Sequence, residues 1–185
     1  MSEQKEKWKR QGYSRIYRFT PIPNLPDTLL LTVDSEFKVT NITEEPQSYY
    51  AKMEFEADDH VSSVSYRLVI DGKDKYEGVK PLVKSDTRRD VLEARSPDVT
   101  VDPGVTLTAL SKWAFLVGRK GGDMISFGKP VEGLYVGVVT PDDLDFLAEF
   151  ATPPDKYTED GGGQDWHWDR TFVEWQHVNV RWWPR

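Results

Sequence analysis

Hydrophobic and polar residues alternate along much of this chain with a period of two. In SYYAKMEFE (48–56) the odd-numbered positions are hydrophobic and the even-numbered positions are mostly charged. Because successive side chains of a β-strand point to opposite faces of a sheet, this pattern predicts a strand with one buried and one solvated face. YSRIYRF (13–19) and VSSVSYRLVI (61–70) show the same period, so we expect a strand at each.

Residues that favour turns separate these predicted strands. Asp71-Gly72 follows the run 61–70, and Asp-Gly between two alternating runs is a strong hairpin signal. We therefore expect 61–70 to pair in antiparallel fashion with residues near 75–83.

The region after the first predicted strand is interpreted as a connector followed by two strands. TPIPNLPD (20–27) contains three Pro, which remove backbone donors and fix φ, so it is predicted to be an extended connector. TLLLTV (28–33) and EFKVTNI (36–42) predict two short strands on either side of Asp34 and Ser35.

The segment TPDDLDFLAEFA (140–151) fits two structures. Thr140, Pro141 and the two Asp that follow are typical of a helix N-terminus. The even-numbered positions from 144 to 150 are also all hydrophobic, as in a strand. We favour the strand, because strands are predicted around it, and expect at most one short helix near 141–151.

About ten short strands at steady spacing, without long helical segments between them, predict an all-β protein. The expected fold is an antiparallel β-sandwich, immunoglobulin-like or jelly-roll-like. We expect a basic, flexible N-terminal tip over residues 1–12 and a single β-sandwich domain over 13–185. The alternative is a pair of small β domains that meet near 84–104.

The charge of the chain disfavours nucleic acid as a partner. Its 185 residues include 31 acidic and 24 basic ones, which gives a net charge of -7. A protein that binds nucleic acid needs a positive face against the phosphates. The exception is KEKWKR (5–10), which we interpret as a solvated tail, with contact to a membrane surface as the alternative.

The absence of Cys from the sequence excludes disulfides, thiolate catalysis and Cys-ligated zinc. No apolar run approaches the roughly 18 residues of a membrane span. The N-terminus lacks the pattern of a signal peptide. We therefore expect a soluble, cytoplasmic protein.

Motifs for catalysis or cofactor binding are missing from the sequence. There is no G-x-S-x-G elbow, and RKGGDM (119–124) and DGGGQD (160–165) lack the Gly-Lys-Ser/Thr spacing of a phosphate-binding loop. We expect no cofactor and favour a protein that is not an enzyme.

The chain ends in DWHWDRTFVEWQHVNVRWWPR (165–185), which holds five of the seven Trp. A strand over 172–183 would place Val178, Val180 and Trp182 on one face, which we expect to pack inward. The other face mixes aromatic and hydrogen-bonding side chains, which suits a core edge or subunit interface first and a ligand platform second. The candidate ligand-binding residues are Trp166, Trp168, Trp175, His177, Asn179, Arg181 and Tyr157.

A metal site in this tail is a weaker hypothesis. His167, Asp169 and His177 are residues of types that bind zinc or iron, but their spacing matches no ligand pattern. We therefore expect no metal.

Three functional hypotheses follow. The first is a non-catalytic binding, sensor or accessory domain that recognises a partner protein, a second copy of itself or a small ligand through aromatic-rich loops. The second is a protein that binds or processes carbohydrate, since Trp rings stack on sugars. The third is a soluble component of a bacterial signalling or defence system.

Overall fold

A computed structural model describes residues 6–56, 62–71, 73–78, 83–84, 91–95, 97–127, 129–160, 162–173 and 176–185. These residues form sixteen strands and no helix, which confirms the predicted all-β class. In chain order the strands are β1 (Trp8–Ile22), β2 (Leu25–Asn41), β3 (Gln47–Tyr49), β4 (Lys52–Glu56), β5 (Ser62–Ile70), β6 (Lys73–Gly78), β7 (Val83–Lys84), β8 (Val91–Arg95), β9 (Val99–Val101), β10 (Thr106–Gly118), β11 (Gly121–Ser126), β12 (Val131–Val139), β13 (Leu144–Phe150), β14 (Lys156–Asp160), β15 (Gly163–Phe172) and β16 (His177–Pro184).

Two sheets face each other and enclose the core. The larger has eight strands in the order β14-β15-β12-β1-β2-β10-β5-β6, and the smaller has three in the order β11-β16-β13. Phe19 on β1 contacts Trp182 on β16 with ring centroids 5.0 Å apart, and Phe150 on β13 contacts Trp168 on β15 at 4.9 Å. These ring contacts between opposed strands make the arrangement a sandwich.

The antiparallel prediction needs one correction. Every pair among the described strands is antiparallel except β1 with β12, which run parallel from Gln11↔Glu132 to Arg18↔Val139. The strand β1 lies between β12 and β2, so the large sheet is mixed. Period-two alternation looks the same in either direction, and for this reason the sequence pattern does not report a parallel pair.

Several strands are longer than the short strands predicted. The strand β2 has 17 residues and runs through Asp34 and Ser35, where two strands had been expected. The Pro-rich segment 20–27 is a hairpin rather than an extended connector: Ile22 pairs with Leu25, and Asn24 has a φ of 68° after Pro23. Pro before a residue with positive φ is the arrangement of a type II turn.

Three other regions bear on the sequence predictions. The strand β1 begins at Trp8, so residues 8–12 belong to a strand rather than to an N-terminal tip. The segment 144–150 is a strand, as favoured above. The predicted hairpin after 61–70 is confirmed, since β5 pairs with β6 in antiparallel fashion. No helix among the described residues is long and apolar enough to span a bilayer.

Candidate functional site

The structure separates the candidate residues of the tail. Trp166 and Trp168 alternate along β15 and are buried in the core, where both contact the ring of Phe150. The sugar-stacking hypothesis required exposed faces on these two rings, and the core encloses them instead. Trp182 is also buried, together with Val178 and Val180, which is the inward face that the alternation predicted.

The remaining candidates lie on other surfaces. His177, Asn179 and Arg181 follow the outer face of β16, and Arg181 forms an ion pair of 3.5 Å with Glu149 on β13. Tyr157 is exposed on the edge strand β14, and its hydroxyl donates to Glu159 at 3.0 Å. Trp175 lies outside the described residues. The candidate set therefore does not form one site.

The three residues considered for a metal site also lie on two different sheets. His167 Nε2 lies 3.3 Å from Asp169 Oδ1 on β15, whereas His177 is on β16 in the other sheet. Across the part of the chain that the structure describes, no group of three or more His, Asp or Glu could hold a metal ion.

A different region brings together aromatic, cationic and hydroxyl side chains. A cleft of about 630 Å³ opens along the inner face of the large sheet, at the edge of the hydrophobic core, and we call it the aromatic cleft. Its lining includes six aromatic residues, three cationic residues and four Ser: Trp8, Tyr13, Phe37, Tyr49, Tyr50, Phe127, Arg10, Arg15, Lys129, Ser35, Ser48, Ser111 and Ser126.

A bulge in β1 places four of these side chains in the cleft. Gln11 pairs with Lys38 and Ser14 pairs with Glu36, so Gly12 and Tyr13 together oppose a single residue, Phe37. Gly12 has a φ of 61°, the left-handed conformation that this type of bulge requires and glycine adopts without strain. The bulge shifts the alternation by one residue. Trp8 and Arg10 before it and Tyr13 and Arg15 after it consequently all line the cleft.

The aromatic rings of the cleft pack in two groups. Trp8 meets Tyr49 edge to face with centroids 5.2 Å apart. Tyr13 stacks on Phe37 at 6.0 Å and meets Phe127 edge to face at 5.7 Å. Edge-to-face and offset arrangements are the favourable geometries of ring pairs, so these contacts stabilise the walls of the cleft.

Arg15 is fixed at the boundary between the cleft and the core. Its Nη2 donates to Asp123 Oδ2 at 2.7 Å, and the Tyr17 hydroxyl donates to the same oxygen at 2.7 Å. Burial by itself would lower the pKa of Arg15, but the Asp123 carboxylate helps to raise it well above its usual value, so the guanidinium stays charged. This contact joins β1 of the large sheet to β11 of the small one.

Arg10 lies at the other end of the cleft, near Tyr49. Burial raises the pKa of the Tyr49 hydroxyl to about 12, although the positive charge of Arg10 opposes the shift. Arg10 Nη1 is 3.6 Å from Glu6 Oε1, an ion-pair distance that is too long for a hydrogen bond. That nitrogen is buried and has no hydrogen-bond partner.

Ser35 supplies a polar group in the floor of the cleft. It lies between Arg15 on β1 and Ser111 on β10 in the register of the sheet. Only 5% of Ser35 is exposed, and its Oγ has no hydrogen-bond partner. Ser35 was not among the sequence candidates because the adjacent polar residues Asp34 and Ser35 were interpreted as a break between two strands.

Comparisons with known proteins identify the fold and no family. No protein-family model matches the chain. None of the curated proteins matches it in sequence. A Legionella pneumophila structure, provisionally called a nutrient binding protein, has a TM-score of 0.56 and 11% identity, and the match covers 96% of this chain and 67% of that one. At this identity the likeness concerns the fold alone.

Two further structures match with lower scores. A Parabacteroides distasonis protein, provisionally called a protease, gives a TM-score of 0.47 at 10% identity over 95% of this chain and 40% of its own. The M1 zinc metallopeptidase of Deinococcus radiodurans gives 0.46 at 12% identity over 94% of this chain and 42% of its own. This chain therefore spans less than half the length of either protein, and neither supports an inference about its function.

Proposed function

We propose that this protein is a non-catalytic binding module that holds a small, ring-containing ligand in the aromatic cleft. The observation that carries the proposal is a cleft of about 630 Å³ lined by six aromatic residues beside Arg, Lys and Ser side chains. Ligand sites in proteins typically have volumes of about 300–1,000 Å³ and combine an apolar lining with a few polar groups that orient the ligand.

The chemistry of the lining favours binding over catalysis. Four Ser line the cleft, but the lining residues that the structure describes include no His, Asp or Glu that could act as their base. Aromatic faces stack on flat rings, and Ser and Arg donate hydrogen bonds to the substituents of such rings. We therefore propose that recognition involves strand residues, such as Arg15 on β1 and Ser35 on β2, as well as loop residues such as Tyr50 and Lys129.

Less evidence supports the other functional hypotheses. The nutrient-binding designation belongs to the Legionella protein and adds only that the same fold occurs in a protein provisionally given a binding role. A sugar stacked on Trp166 and Trp168 loses its basis, because both rings are buried. A partner protein, a second copy of the chain and a role in bacterial signalling or defence stay predictions.

Two matched tyrosine variants test the proposal. Tyr50 lines the cleft and is 43% exposed, whereas Tyr157 is 51% exposed on the sheet edge. We would follow binding of indole, adenine, phenyl phosphate and indole-3-acetate by NMR chemical-shift changes. Removing a stacking ring costs about 1–3 kcal/mol, so Tyr50→Ala should weaken the best binder by about tenfold.

Tyr157→Ala should leave the affinity unchanged, and because both residues are half exposed neither variant should unfold the protein. The proposal would be overturned if none of the four compounds shifted resonances of the cleft. It would also be overturned if the two variants weakened binding equally.

A further inference from the structure

The buried polar atoms of the protein point to the chemical class of the ligand. In the part of the chain that the structure describes, three buried side-chain nitrogen or oxygen atoms have no hydrogen-bond partner: Arg10 Nη1, Arg15 Nε and Ser35 Oγ. All three residues line the aromatic cleft. Buried donors in folded proteins nearly always have partners, so a cluster of exceptions in one cleft requires an explanation.

We infer that the cleft binds an oxyanion, a carboxylate or a phosphate, carried on an aromatic ring. This inference rests on the proposed binding function and adds the charge of the ligand to it. Two of the three unsatisfied groups are guanidinium nitrogens, which can only donate and which bind carboxylate and phosphate oxygens strongly. The Ser35 hydroxyl can donate to the same anion.

The register of the sheet places two of these donors side by side. Arg15 on β1 pairs with Ser35 on β2, and both side chains point to the inner face. Side chains directly opposite each other on neighbouring strands have Cβ atoms about 4.5–5.5 Å apart, close enough for both to reach one anionic group. Asp123 accepts from Nη2 of Arg15 and fixes the guanidinium, whereas Nε has no hydrogen-bond partner.

The charge of the lining agrees with an anionic ligand. The protein as a whole has a net charge of -7. The described residues of the cleft lining nevertheless include Arg10, Arg15 and Lys129 and no acidic residue. Asp123 and Glu6 offset part of this charge, because they pair with Arg15 and Arg10. The cations that face the cleft nevertheless favour an anion over a neutral ligand there. Tyr13 and Phe37 would then provide the ring-stacking wall beside Arg15.

The test compares anionic compounds with neutral counterparts of nearly the same shape. Indole-3-acetate is paired with indole-3-acetamide, and phenyl phosphate with phenol, and binding is measured by isothermal titration calorimetry. We expect at least one anion to bind about tenfold more tightly than its neutral counterpart, since hydrogen bonds to charged groups are roughly twice as strong as neutral ones. The pair with the larger ratio identifies carboxylate or phosphate as the preferred group.

Two variants assign this preference to the cleft. Ser35→Ala and Arg10→Gln should each reduce the ratio several-fold. Arg185→Gln is the matched control, because Arg185 is an exposed arginine that pairs with Asp145 on β13 and the change in net charge is the same. Thermal unfolding of Ser35→Ala should occur at the wild-type temperature or above it, because the Ser35 hydroxyl has no partner to lose.

The outcomes separate this inference from the proposed function. If neutral and anionic compounds bind equally and Tyr50→Ala weakens both, the oxyanion is excluded and the binding cleft stands. If neither series binds, the proposed function and this inference both fail. If Arg185→Gln reduces the ratio as much as Arg10→Gln does, the preference comes from net charge alone and the assignment to the cleft is overturned.

Discussion

Trp168 on β15 is fully buried, and its indole N–H donates to the backbone carbonyl of Thr152 at 2.9 Å. Its ring contacts Phe150 and Phe172. Replacing a buried Trp with Ala removes these contacts and leaves a cavity, so Trp168→Ala should lower the free energy of unfolding by about 3–5 kcal/mol. Urea denaturation followed by circular dichroism measures the change.

Trp183 provides the comparison within the same tail. It lies on the outer face of β16 and is 36% exposed. Trp183→Ala should therefore lower the free energy of unfolding by about 1 kcal/mol, clearly less than Trp168→Ala does, because part of the ring is already exposed. An equal loss in both variants would contradict the assignment of Trp168 to the core and Trp183 to the surface.

The sequence predicted which side chains face the core only within the segment that was predicted as a strand. Alternation placed Val178, Val180 and Trp182 inward, and the structure buries all three. Trp166 and Trp168 precede the strand that was predicted over 172–183. They lie within β15, which begins at Gly163, and the same alternation buries them. The error was to predict a single strand over 172–183, because the structure has two strands here, β15 ending at Phe172 and β16 beginning at His177.

At the scale of the strand, bulges and register determined what the sequence pattern could predict. The pattern from 13 to 19 was recognised as a strand, but residues 8–12 were not, because the bulge at Gly12 breaks the period. The cleft was missed for the same reason, since its residues Trp8 and Arg10 are out of phase with Tyr13 and Arg15 along the sequence. A Gly between two alternating runs was the available signal.

A glycine on β11 also controls how closely two strands approach. Gly121 pairs with Trp182, and a Cβ at this position would lie 2.6 Å from Cζ2 of the indole. The ring cannot move easily, because it packs on Phe19 and its N–H donates to the carbonyl of Gly118 at 3.0 Å. Gly121→Ala should therefore destabilise the protein by about 1–3 kcal/mol through overpacking.

Gly118 is the matched control for this substitution. A Cβ on Gly118 would meet its nearest atom, the Lys120 carbonyl oxygen, at 3.6 Å, which is an ordinary contact. Gly118→Ala should change the free energy of unfolding, measured by urea denaturation, by no more than about 0.5 kcal/mol. The packing argument would be wrong if Gly118→Ala were the more destabilising of the two.

For the whole molecule, the core and the candidate site are consecutive parts of one surface. The inner face of the large sheet is covered by the small sheet at one end, where Phe19 meets Trp182. The same face continues along β1 and β2 into the aromatic cleft, and the contact of Arg15 with Asp123 marks the boundary. The arrangement explains why strand residues of β1 and β2 line the site, together with Tyr50, Phe127 and Lys129 from outside the strands.

Acid should weaken the contact between β1 and β12. Glu132 on β12 accepts hydrogen bonds from Lys9 at 3.0 Å and from Gln11 at 2.8 Å, both on β1. These hydrogen bonds, that from Lys9 above all, hold the pKa of Glu132 below its ordinary value of 4.5. A carboxylate whose pKa is lower in the folded state stabilises the fold above its unfolded-state pKa and loses that contribution as the pH falls.

This exposed pair should therefore make a small contribution to the melting temperature that is present at pH 7 and lost as the pH falls below 4.5, the ordinary pKa of Glu132. Glu132→Gln cannot titrate, so its melting temperature should start slightly lower at pH 7 and decline less steeply. Glu149→Gln is the matched control, because Glu149 pairs with Arg181 on the outer face of the small sheet. If the Glu132 variant declined as steeply as the wild type, the pairing of β1 with β12 would not be the source of the acid sensitivity.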